Sequence, residues 1–401
     1  MTAPSNRAVA AVALFALLGA ILAAVSTYDF VAHLDRQVHA ITCAFVPGLA
    51  APDAAGTSGC HLALMSPYSA LARRLTWGGI PIALPALAVF AFILFRAGDL
   101  LLTSRARDAH KTAFLAAAAA LPVLASLVYF LLSVLRLGAL CRLCVGIYVA
   151  AIACFVAAVL AHREALKVAA PGPRPWGRWA VAFAEGVVFV VVPVVLYLAL
   201  KPSVPSSLTG CGRLLHSEDR YGVRVRLPGL GRVPAIEVLD PLCPACRNLD
   251  LRLELSGLAD TFARELVLFP LDKECNWMVS ESLHPGGCAA SEAVLCAGTR
   301  VSEVLAFLFA HQDELRTLGE GGEQPVLDRI AAQFPELRGC LGKPAVRSRL
   351  NRSLRWVVSN SLPVLTPQLF VGGTKVCDED TDLGLEYVVS RMLAARPAPA
   401  R

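Results

Sequence analysis

Charged residues are scarce in this chain of 401 residues: they make up 17% of it, against about 25% in soluble domains. Apolar residues make up 56%, an excess that needs either a membrane or a very large core. They are concentrated before residue 200, and a polar segment of mixed charge follows. The scarcity of charge therefore predicts a membrane half followed by a soluble half.

Two further absences narrow the function. The basic residues behind the net charge of +6 are scattered or lie in short loops, so no basic stripe indicates a nucleic-acid partner. The motif Cys141-Arg142-Leu143-Cys144 has no histidine or acidic residue close by on its expected helix to complete a metal site. A second motif, Cys243-Pro244-Ala245-Cys246, has no partner pair in its half of the chain. We therefore expect no metal and no nucleic acid.

Long apolar runs are abundant, and five of them reach the roughly 20 residues that cross a bilayer. They lie at about 8–27, 78–96, 113–135, 139–161 and 179–200. A cleaved signal peptide is the alternative for the first run, since Arg7 precedes it and small residues close it. Four further runs follow, and the first is long enough to cross, so we favour five spans.

The distribution of Lys and Arg between the spans predicts their orientation. The basic residues of the loops after the second and fourth spans are Arg96, Arg105, Arg107, Lys111, Arg163, Lys167, Arg174 and Arg178. The longer first loop, about 28–77, holds only Arg36, Arg73 and Arg74. The two basic loops and the N-terminus are therefore expected in the cytoplasm. The first loop and everything after residue 201 are expected outside, which places both C-x-x-C motifs on the outer side or at its edge.

Cys141 and Cys144 lie at the outer start of the fourth span. Residues at this spacing share a helix face, within reach of a disulfide, and the helix N-terminus favours thiolate. Tyr148 lies one turn deeper on the same face. In a dry pocket its hydroxyl needs an acceptor, which a quinone oxygen would supply. The alternatives are two cysteines packed in a bundle and an interfacial tyrosine of an aromatic belt.

The first outer loop contains Cys43 and Cys60. They form either a plain stabilising disulfide or a shuttle that takes electrons from an exposed partner and passes them to Cys141. Cys154 lies within the fourth span, where we expect it to serve packing.

The soluble half begins after a linker rich in Pro and Ser at 201–207. Residues 233–239 form a buried-strand pattern, and Cys243 to Cys246 open a helix-like stretch. A second strand is predicted near 266–271, helices over about 290–360, and a last strand at 368–371 followed by a turn at Gly372-Gly373. Strand, C-x-x-C helix and strand in this order are typical of thioredoxin-like domains. Cys243 is predicted to be the exposed nucleophile and Cys246 the buried resolving thiol.

Thirteen cysteines are many for a reducing compartment. Six of them surround the soluble motif, namely Cys211, Cys275, Cys288, Cys296, Cys340 and Cys377. Six cysteines allow fifteen pairings, of which we favour Cys275 with Cys288 and Cys296 with Cys340. Such structural disulfides are worth about 2–4 kcal/mol each and indicate an extracytoplasmic domain.

Residues 8–161 resemble the vitamin K epoxide reductase (VKOR) family. The resemblance rests on the loop pair Cys43 and Cys60, on Ser66-Pro67-Tyr68 followed by Gly79-Ile80-Pro81, and on Cys141-Arg142-Leu143-Cys144 with Tyr148. It implies a four-helix bundle around a quinone. It also implies that Cys144 faces the quinone, that Cys60 pairs with Cys141, and that Cys43 meets the external thiol partner.

The soluble half resembles thioredoxin-like domains, and its long helical insertion resembles the oxidases of the DsbA type. The resemblance implies a cis-proline at Thr366-Pro367 that faces Cys243 and leaves a backbone edge free for a substrate chain. A trans-proline at an edge strand is the alternative. Pro244-Ala245 lacks the histidine common at this place in DsbA, which implies less extreme stabilisation of the thiolate.

The predicted fold is therefore multi-domain. A VKOR-like transmembrane bundle at 1–165 is followed by a fifth transmembrane helix at 166–200, a lead-in at 201–230 and an α/β thioredoxin/DsbA-like domain at 231–395. We expect an enzyme of the bacterial inner membrane that passes electrons from secreted or periplasmic protein thiols to ubiquinone or menaquinone. The rivals are a tethered reductase or isomerase, a vitamin K epoxide reductase, and a membrane-anchored binding domain with structural cysteines.

Overall fold

The computed structural model describes residues 4–35, 59–168, 176–201 and 210–395. The chain divides into two compact units, Met1–Val204 and Pro205–Arg401. Cys43 and the linker predicted at 201–207, apart from Lys201, lie outside the described residues.

The first unit is helical. Its elements are α1 (Pro4–Ala32), α2 (Gly59–Met65), β1 (Ala70–Leu71), β2 (Ile80–Pro81), α3 (Ala83–Leu102), α4 (Ala109–Leu132), α5 (Arg142–Leu166) and α6 (Trp176–Leu200). Within the described residues, every helix of this unit except α2 is long and apolar enough to cross a bilayer. These five helices indicate a multi-pass membrane protein, as predicted.

The second span begins later than its apolar run. Helix α3 starts at Ala83 rather than near residue 78, because Gly78 and Gly79 adopt left-handed backbone angles with φ of 65° and 76°. Ile80 and Pro81 then pair with β1 in a short antiparallel ladder. The apolar residues between 78 and 82 therefore form a turn and a strand before the helix.

Small residues allow the helices of this unit to approach closely. Helix α1 packs against α3 and α5, and α4 packs against α5. Ala16 and Ala20 of α1 and Ala158 of α5 lie in the shared core, as expected where apolar helices cannot rely on the hydrophobic effect between them. The thiol of Cys154 is buried and lies 3.8 Å from the carbonyl oxygen of Val12, which confirms its predicted packing role.

Helix α6 packs mainly on α3. Its last turn is tied to the segment before β2 by polar contacts. The hydroxyl of Tyr197 donates to the carbonyl of Gly79 over 2.9 Å, and Lys201 donates to the carbonyl of Trp77 over 2.9 Å. These contacts connect the end of the fifth helix to the turn that precedes α3.

The second unit combines a mixed sheet with helices. Its elements are β3 (Val225–Arg226), β4 (Val233–Leu239), α7 (Pro244–Leu255), β5 (Phe262–Leu268), α8 (Gly287–Cys296), α9 (Val301–Ala310), α10 (Gln312–Gly319), α11 (Glu323–Gln333), α12 (Pro344–Ser359), β6 (Gln368–Val371), β7 (Thr374–Lys375) and α13 (Leu385–Ala394). The strand order is β3-β5-β4-β6-β7, in which β4 and β5 are parallel and the other neighbours antiparallel. It is an α/β arrangement.

The central strand β4, the last predicted strand β6 and the C-x-x-C helix α7 lie where the sequence predicted them. Strand β5 begins four residues before the predicted 266–271. The charged residues Arg264 and Glu265 in its first half obscure the apolar pattern of the strand. The guanidinium of Arg264 is buried against Glu237 of β4, with contacts of 2.6 and 3.1 Å. The short strands β3 and β7 were not predicted.

The sheet separates two apolar cores, because successive residues of a strand face opposite sides. Ile236 and Val238 of β4 pack with the buried Trp356 of α12 on one side. Leu239 packs on the other side with residues of α8, α9 and α11. The second core contains both cysteines of the soluble motif.

Candidate functional site

The first dithiol lies at the start of α5. Cys141 is the residue that caps the helix, and its sulfur accepts a hydrogen bond from the backbone N–H of Cys144 over 3.3 Å. Cys141 therefore precedes the helix, and only Cys144 lies within its first turn. Both are free thiols, Cys141 buried and Cys144 half-buried. The helix N-terminus favours negative charge on these sulfurs.

A cavity of about 80 Å³ brings together most of the residues predicted for the membrane half. Cys60, Cys141, Cys144 and Tyr148 all line it. Other polar residues around it are Ser26, Asp29, Ser66, Tyr68, Ser69, Tyr129 and Ser133. Cys43, the remaining cysteine of the predicted relay, lies outside the described residues.

A second cavity, of about 290 Å³, shares Cys144 and Tyr148 with the first. Its other lining is largely apolar and includes Ala86, Val89, Phe90, Leu121 and Ile147. Tyr148 meets the ring of Phe130 edge-on, with ring centroids 6.4 Å apart. The half-buried thiol thus stands between a small space with polar groups and a larger apolar one. A planar head group with an apolar tail matches this division.

Cys60 reaches the first cavity through a close approach of backbones. A Cβ built on Gly59 would clash with the carbonyl oxygen of Leu140, the residue before Cys141. Helix α2 can therefore lie this close to the start of α5 only with glycine at position 59. Cys60 is disulfide-bonded and Cys141 is a free thiol, so the Cys60–Cys141 bond implied by the family resemblance is not formed in this structure.

Arg73 holds the turn at residues 66–69, which lies at one end of this site. Its side chain is buried, and its guanidinium donates to the carbonyl of Ser66 over 2.7 Å and to the hydroxyl of Ser69 over 2.5 Å. The same group lies 5.9 Å from the ring centre of Phe30. Arg73 thereby fixes the stretch Ser66-Pro67-Tyr68 that the sequence analysis singled out.

The second dithiol lies at the start of α7. Cys243 caps the helix, and its thiol lies 3.6 Å from the carbonyl oxygen of Thr366. The Thr366–Pro367 peptide bond is cis, as expected. The expectation of an exposed Cys243 was wrong: this residue is 4% exposed and Cys246 is 2% exposed. The segment with the cis-proline covers Cys243 on one side, and residues of the apolar core pack against it as well.

A buried carboxylate and a histidine stand beside this dithiol. Asp240 accepts hydrogen bonds from the backbone of Leu242 and Leu271, each over 2.8 Å. Its second oxygen lies 2.7 Å from Nδ1 of His284. Burial alone would lower the pKa of His284, but the hydrogen bond and charge of Asp240 outweigh it and raise this pKa.

The two thiols of this motif differ in acidity. A hydrogen bond from Cys246 lowers the pKa of Cys243 to about 7 against the effect of burial, and the charge of His284 lowers it further. Burial raises the pKa of Cys246 well above its usual value. Cys243 is thus the thiol that ionises near neutral pH, and Cys246 stays protonated.

The sequence of the first unit agrees with a known family. Residues 10–159 match the model of the vitamin K epoxide reductase family. Members of this family are oxidoreductases and use quinones in general. A comparison with curated proteins finds no match to the chain.

The VKOR match covers most of the first four long helices and includes the four cysteines of the predicted relay in the membrane half. It therefore supports a membrane oxidoreductase acting on thiols, disulfides or quinones. The residues after 159, including the second dithiol, lie beyond the match.

The sequence did not reveal two residues that support these sites, namely His284 beside Cys243 and Arg73 behind the turn at 66–69. His284 follows Asp240 by 44 residues, and no local pattern connects it to the C-x-x-C motif. Arg73 of the VKOR region was counted only as a loop charge, although an arginine between apolar segments is a signal for a buried polar contact.

Three disulfides hold the second unit, namely Cys211–Cys377, Cys275–Cys288 and Cys296–Cys340. The last two are the pairs favoured from sequence, and both are confirmed. Glu379 lies close to the sulfurs of Cys211 and Cys377, the one cluster of metal-ligand type found among the described residues. Because both sulfurs are in the disulfide, the cluster offers no thiolate.

Proposed function

We propose that the protein is a membrane thiol-disulfide:quinone oxidoreductase that forms disulfide bonds in extracytoplasmic proteins. The observation that carries the proposal is the meeting of Cys60, Cys141, Cys144 and Tyr148 around one cavity. Three cysteines and a phenol at the end of an apolar space suit transfer of electrons from thiols to a lipid-soluble acceptor. The VKOR match over the same residues supports it.

The residues around the two cavities fit a quinone. Tyr148 would donate a hydrogen bond to a ring carbonyl, Cys144 would face the ring, and the apolar lining would hold the tail. A bound quinone would accept two electrons and two protons and leave as quinol. In exchange, Cys141 and Cys144 would lose two thiol hydrogens and form a disulfide.

The second unit would collect the electrons, since its C-x-x-C helix beside a cis-proline resembles thioredoxin-like and DsbA-like domains. Exchange between the Cys243–Cys246 pair and a client protein can run in either direction, reducing a client disulfide or oxidising client thiols. The difference between the reduction potentials of the two partners decides which direction is followed. In the proposed direction, two client thiols become a disulfide while the Cys243–Cys246 disulfide becomes two thiols. Cys243 then exchanges with Cys43, and Cys60 with Cys141, so that each electron pair moves inward.

The direction follows from potential, because a membrane quinone is a stronger oxidant than a protein dithiol. Each 30 mV of difference is worth about 1.4 kcal/mol for two electrons. A tether between the units would raise the local concentration of the fused partner to roughly millimolar. We place the protein in the bacterial inner membrane with its second unit in the periplasm.

The decisive experiment mixes the purified full chain with a reduced peptide and a soluble quinone and follows quinone absorbance. We expect loss of quinone together with oxidation of an equal amount of peptide dithiol. Cys144→Ala should abolish the reaction. Cys154→Ala is the matched control, since it removes a buried thiol of the same helix that does not line the cavity. Unchanged quinone with the wild type, or full activity of Cys144→Ala, would refute the proposal.

The order of exchange is tested by trapping. In Cys246→Ser the mixed disulfide of Cys243 cannot be resolved, so a Cys243–Cys43 crosslink should accumulate and be identified by mass spectrometry. A crosslink to Cys60 instead would reverse the order of the loop cysteines. A largely reduced Cys243–Cys246 pair in growing cells would favour the rival function of a tethered reductase or isomerase.

A further inference from the structure

A basic cavity of about 350 Å³ lies at the end of the first unit away from the cysteines. It is formed by the end of α3 and the beginnings of α4 and α6. Ala83 at the start of α3 lines the cysteine cavity, and Arg96, thirteen residues later, lines the basic one. At 1.5 Å per residue, the two sites are about 20 Å apart along the helix. The basic side chains that line the basic cavity are Arg96, Arg105, His110, Lys111 and Arg178.

The positive charge of this cavity is only partly neutralised. Glu185 lies 3.2 Å from Arg96, and Asp99 lies 3.1 Å from Lys111. Arg105 and Arg178 make no ion pair with any residue that the structure describes. Two guanidinium groups at the mouth of one cavity therefore remain available to an anion.

A buried donor adds to this surplus. The indole nitrogen of Trp179 is inaccessible to solvent and has no acceptor among the described residues. Trp179 lines the basic cavity beside Arg178. A buried N–H without a partner is costly, and an acceptor that reached it would relieve that cost.

An apolar groove of about 650 Å³ continues from the basic cavity, with which it shares Phe114 and Trp179. It runs between α4 and α6 over the surface of α3. Side chains from all three helices line it, among them Phe92, Leu121, Phe183 and Val187. The ligand suited to both cavities has an anionic head and a long apolar tail.

We propose that the basic cavity and the groove together bind one anionic phospholipid. The phosphodiester would contact Arg105 and Arg178, and an acyl chain would fill the groove. Basic pockets between transmembrane helices are known to bind acidic head groups. A quinone has no charge for the two arginines, and a free phosphate has no chain for the groove. The lipid would fill the space between α4 and α6 and hold α6 in place.

The test uses the full chain, purified in a neutral detergent and stripped of lipid. We would titrate it with phosphatidylglycerol or phosphatidylcholine and read bound lipid by native mass spectrometry and the unfolding temperature. Phosphatidylglycerol should bind more tightly and raise the unfolding temperature. Arg105→Gln with Arg178→Gln should weaken its binding about 25-fold, since each such charge is worth about 1 kcal/mol near a membrane surface.

Two single variants complete the design. Arg107→Gln removes an exposed arginine of the same loop that does not line the cavity, and its binding should stay within about twofold of wild type. Glu185→Gln frees Arg96 and should strengthen binding about fivefold. Should the double variant fail to fold, Arg178→Gln and Glu185→Gln carry the test through their opposite directions.

Four results would overturn the proposal. The first is equal affinity for the two lipids, and the second is equal weakening in Arg107→Gln. The third is displacement of the lipid by inorganic phosphate at equal concentration, and the fourth is its displacement by a soluble quinone. The inference does not rest on the proposed redox function, because lipid binding is read without turnover.

Discussion

Cys243 and Cys246 are three residues apart, yet their surroundings shift their pKa values in opposite directions. Cys243 caps a helix, accepts a hydrogen bond from the other thiol and feels the charge of His284, so its pKa is lowered to about 7. Cys246 lies in the apolar core, and burial raises its pKa. The lowered pKa of Cys243 and the raised pKa of Cys246 together make Cys243 the thiol that attacks first.

His284 is a positioning residue for this thiolate, and His284→Gln tests it. Loss of its positive charge should raise the pKa of Cys243. The midpoint of the alkylation rate, near pH 7 in the wild type, should move upward, and the rate at pH 6 should fall about tenfold. The measurement is the rate of iodoacetamide modification of the reduced protein between pH 5 and 9.

His216→Gln is the matched control. It replaces a histidine of the same unit whose backbone N–H donates to Asn360 and whose side chain is not among the groups that shift the pKa of Cys243. It should keep the wild-type midpoint, and an unmoved midpoint in His284→Gln would exclude the assigned role.

The lowered pKa of Cys243 also makes the stability of the reduced protein depend on pH. The lowered pKa of Cys243 stabilises the reduced fold above about pH 9, and this contribution is lost as the pH falls through about 7.

At the scale of elements, the contact between α2 and α5 brings two cysteines of different segments together. Gly59 makes this contact possible, because any larger residue would clash with the backbone at Leu140. Cys60 directly follows Gly59, and Cys141 directly follows Leu140. Both cysteines line the cavity. The register of two short backbone stretches therefore decides whether the proposed exchange can occur.

Gly59→Ala should move the sulfur of Cys60 away from that of Cys141 while leaving the Cys141–Cys144 pair intact. We expect quinone reduction driven by a protein dithiol to fall by up to about a hundredfold, because small displacements of reacting groups are costly. Reduction driven by a small soluble dithiol, which reaches Cys141–Cys144 directly, should change little. Both rates are read from quinone absorbance.

Gly98→Ala is the control for this variant, since a Cβ on Gly98 of α3 meets no atom within 4 Å. Both of its rates should equal those of the wild type. If Gly59→Ala lowered the two rates by the same factor, its effect would lie in the fold of the unit rather than in the Cys60–Cys141 exchange.

The whole molecule combines five apolar helices with a unit that contains three disulfides. Such disulfides persist in oxidising compartments. An odd number of spans places the two ends of the membrane unit on opposite sides, and the basic loops indicate the inner side. The proposed circuit requires the loop at 28–77 and the residues after 205 to share the outer side.

Topology mapping tests this requirement. Reporters active only in the periplasm, fused within 28–77 and after residue 395, should both be active, whereas a fusion within 103–108 should be inactive. An inactive reporter after residue 395 combined with an active one in the loop would place the two dithiol systems on opposite sides. The electron relay would then be impossible.

Local patterns in the sequence were enough for the features that depend on local physics. Continuous apolar runs predicted the five helices, and the runs at 233–239 and 368–371 predicted two strands, because burial acts on each segment in the same way. The C-x-x-C spacing predicted both dithiols at helix starts. The cysteine pairs 275–288 and 296–340, favoured from the sequence, are both formed in the structure.

Only the tertiary structure decided the contacts between distant segments. Arg264 obscured the start of β5 in the sequence, and its contact with Glu237 of the neighbouring strand explains its burial. His284 reaches the Cys243 site, Gly59 meets Leu140, and three helices form the basic cavity. These features depend on which surfaces pack together, and no periodicity within one segment encodes that. The sequence alone thus determined the kinds of chemistry available, and packing between segments decided which groups meet.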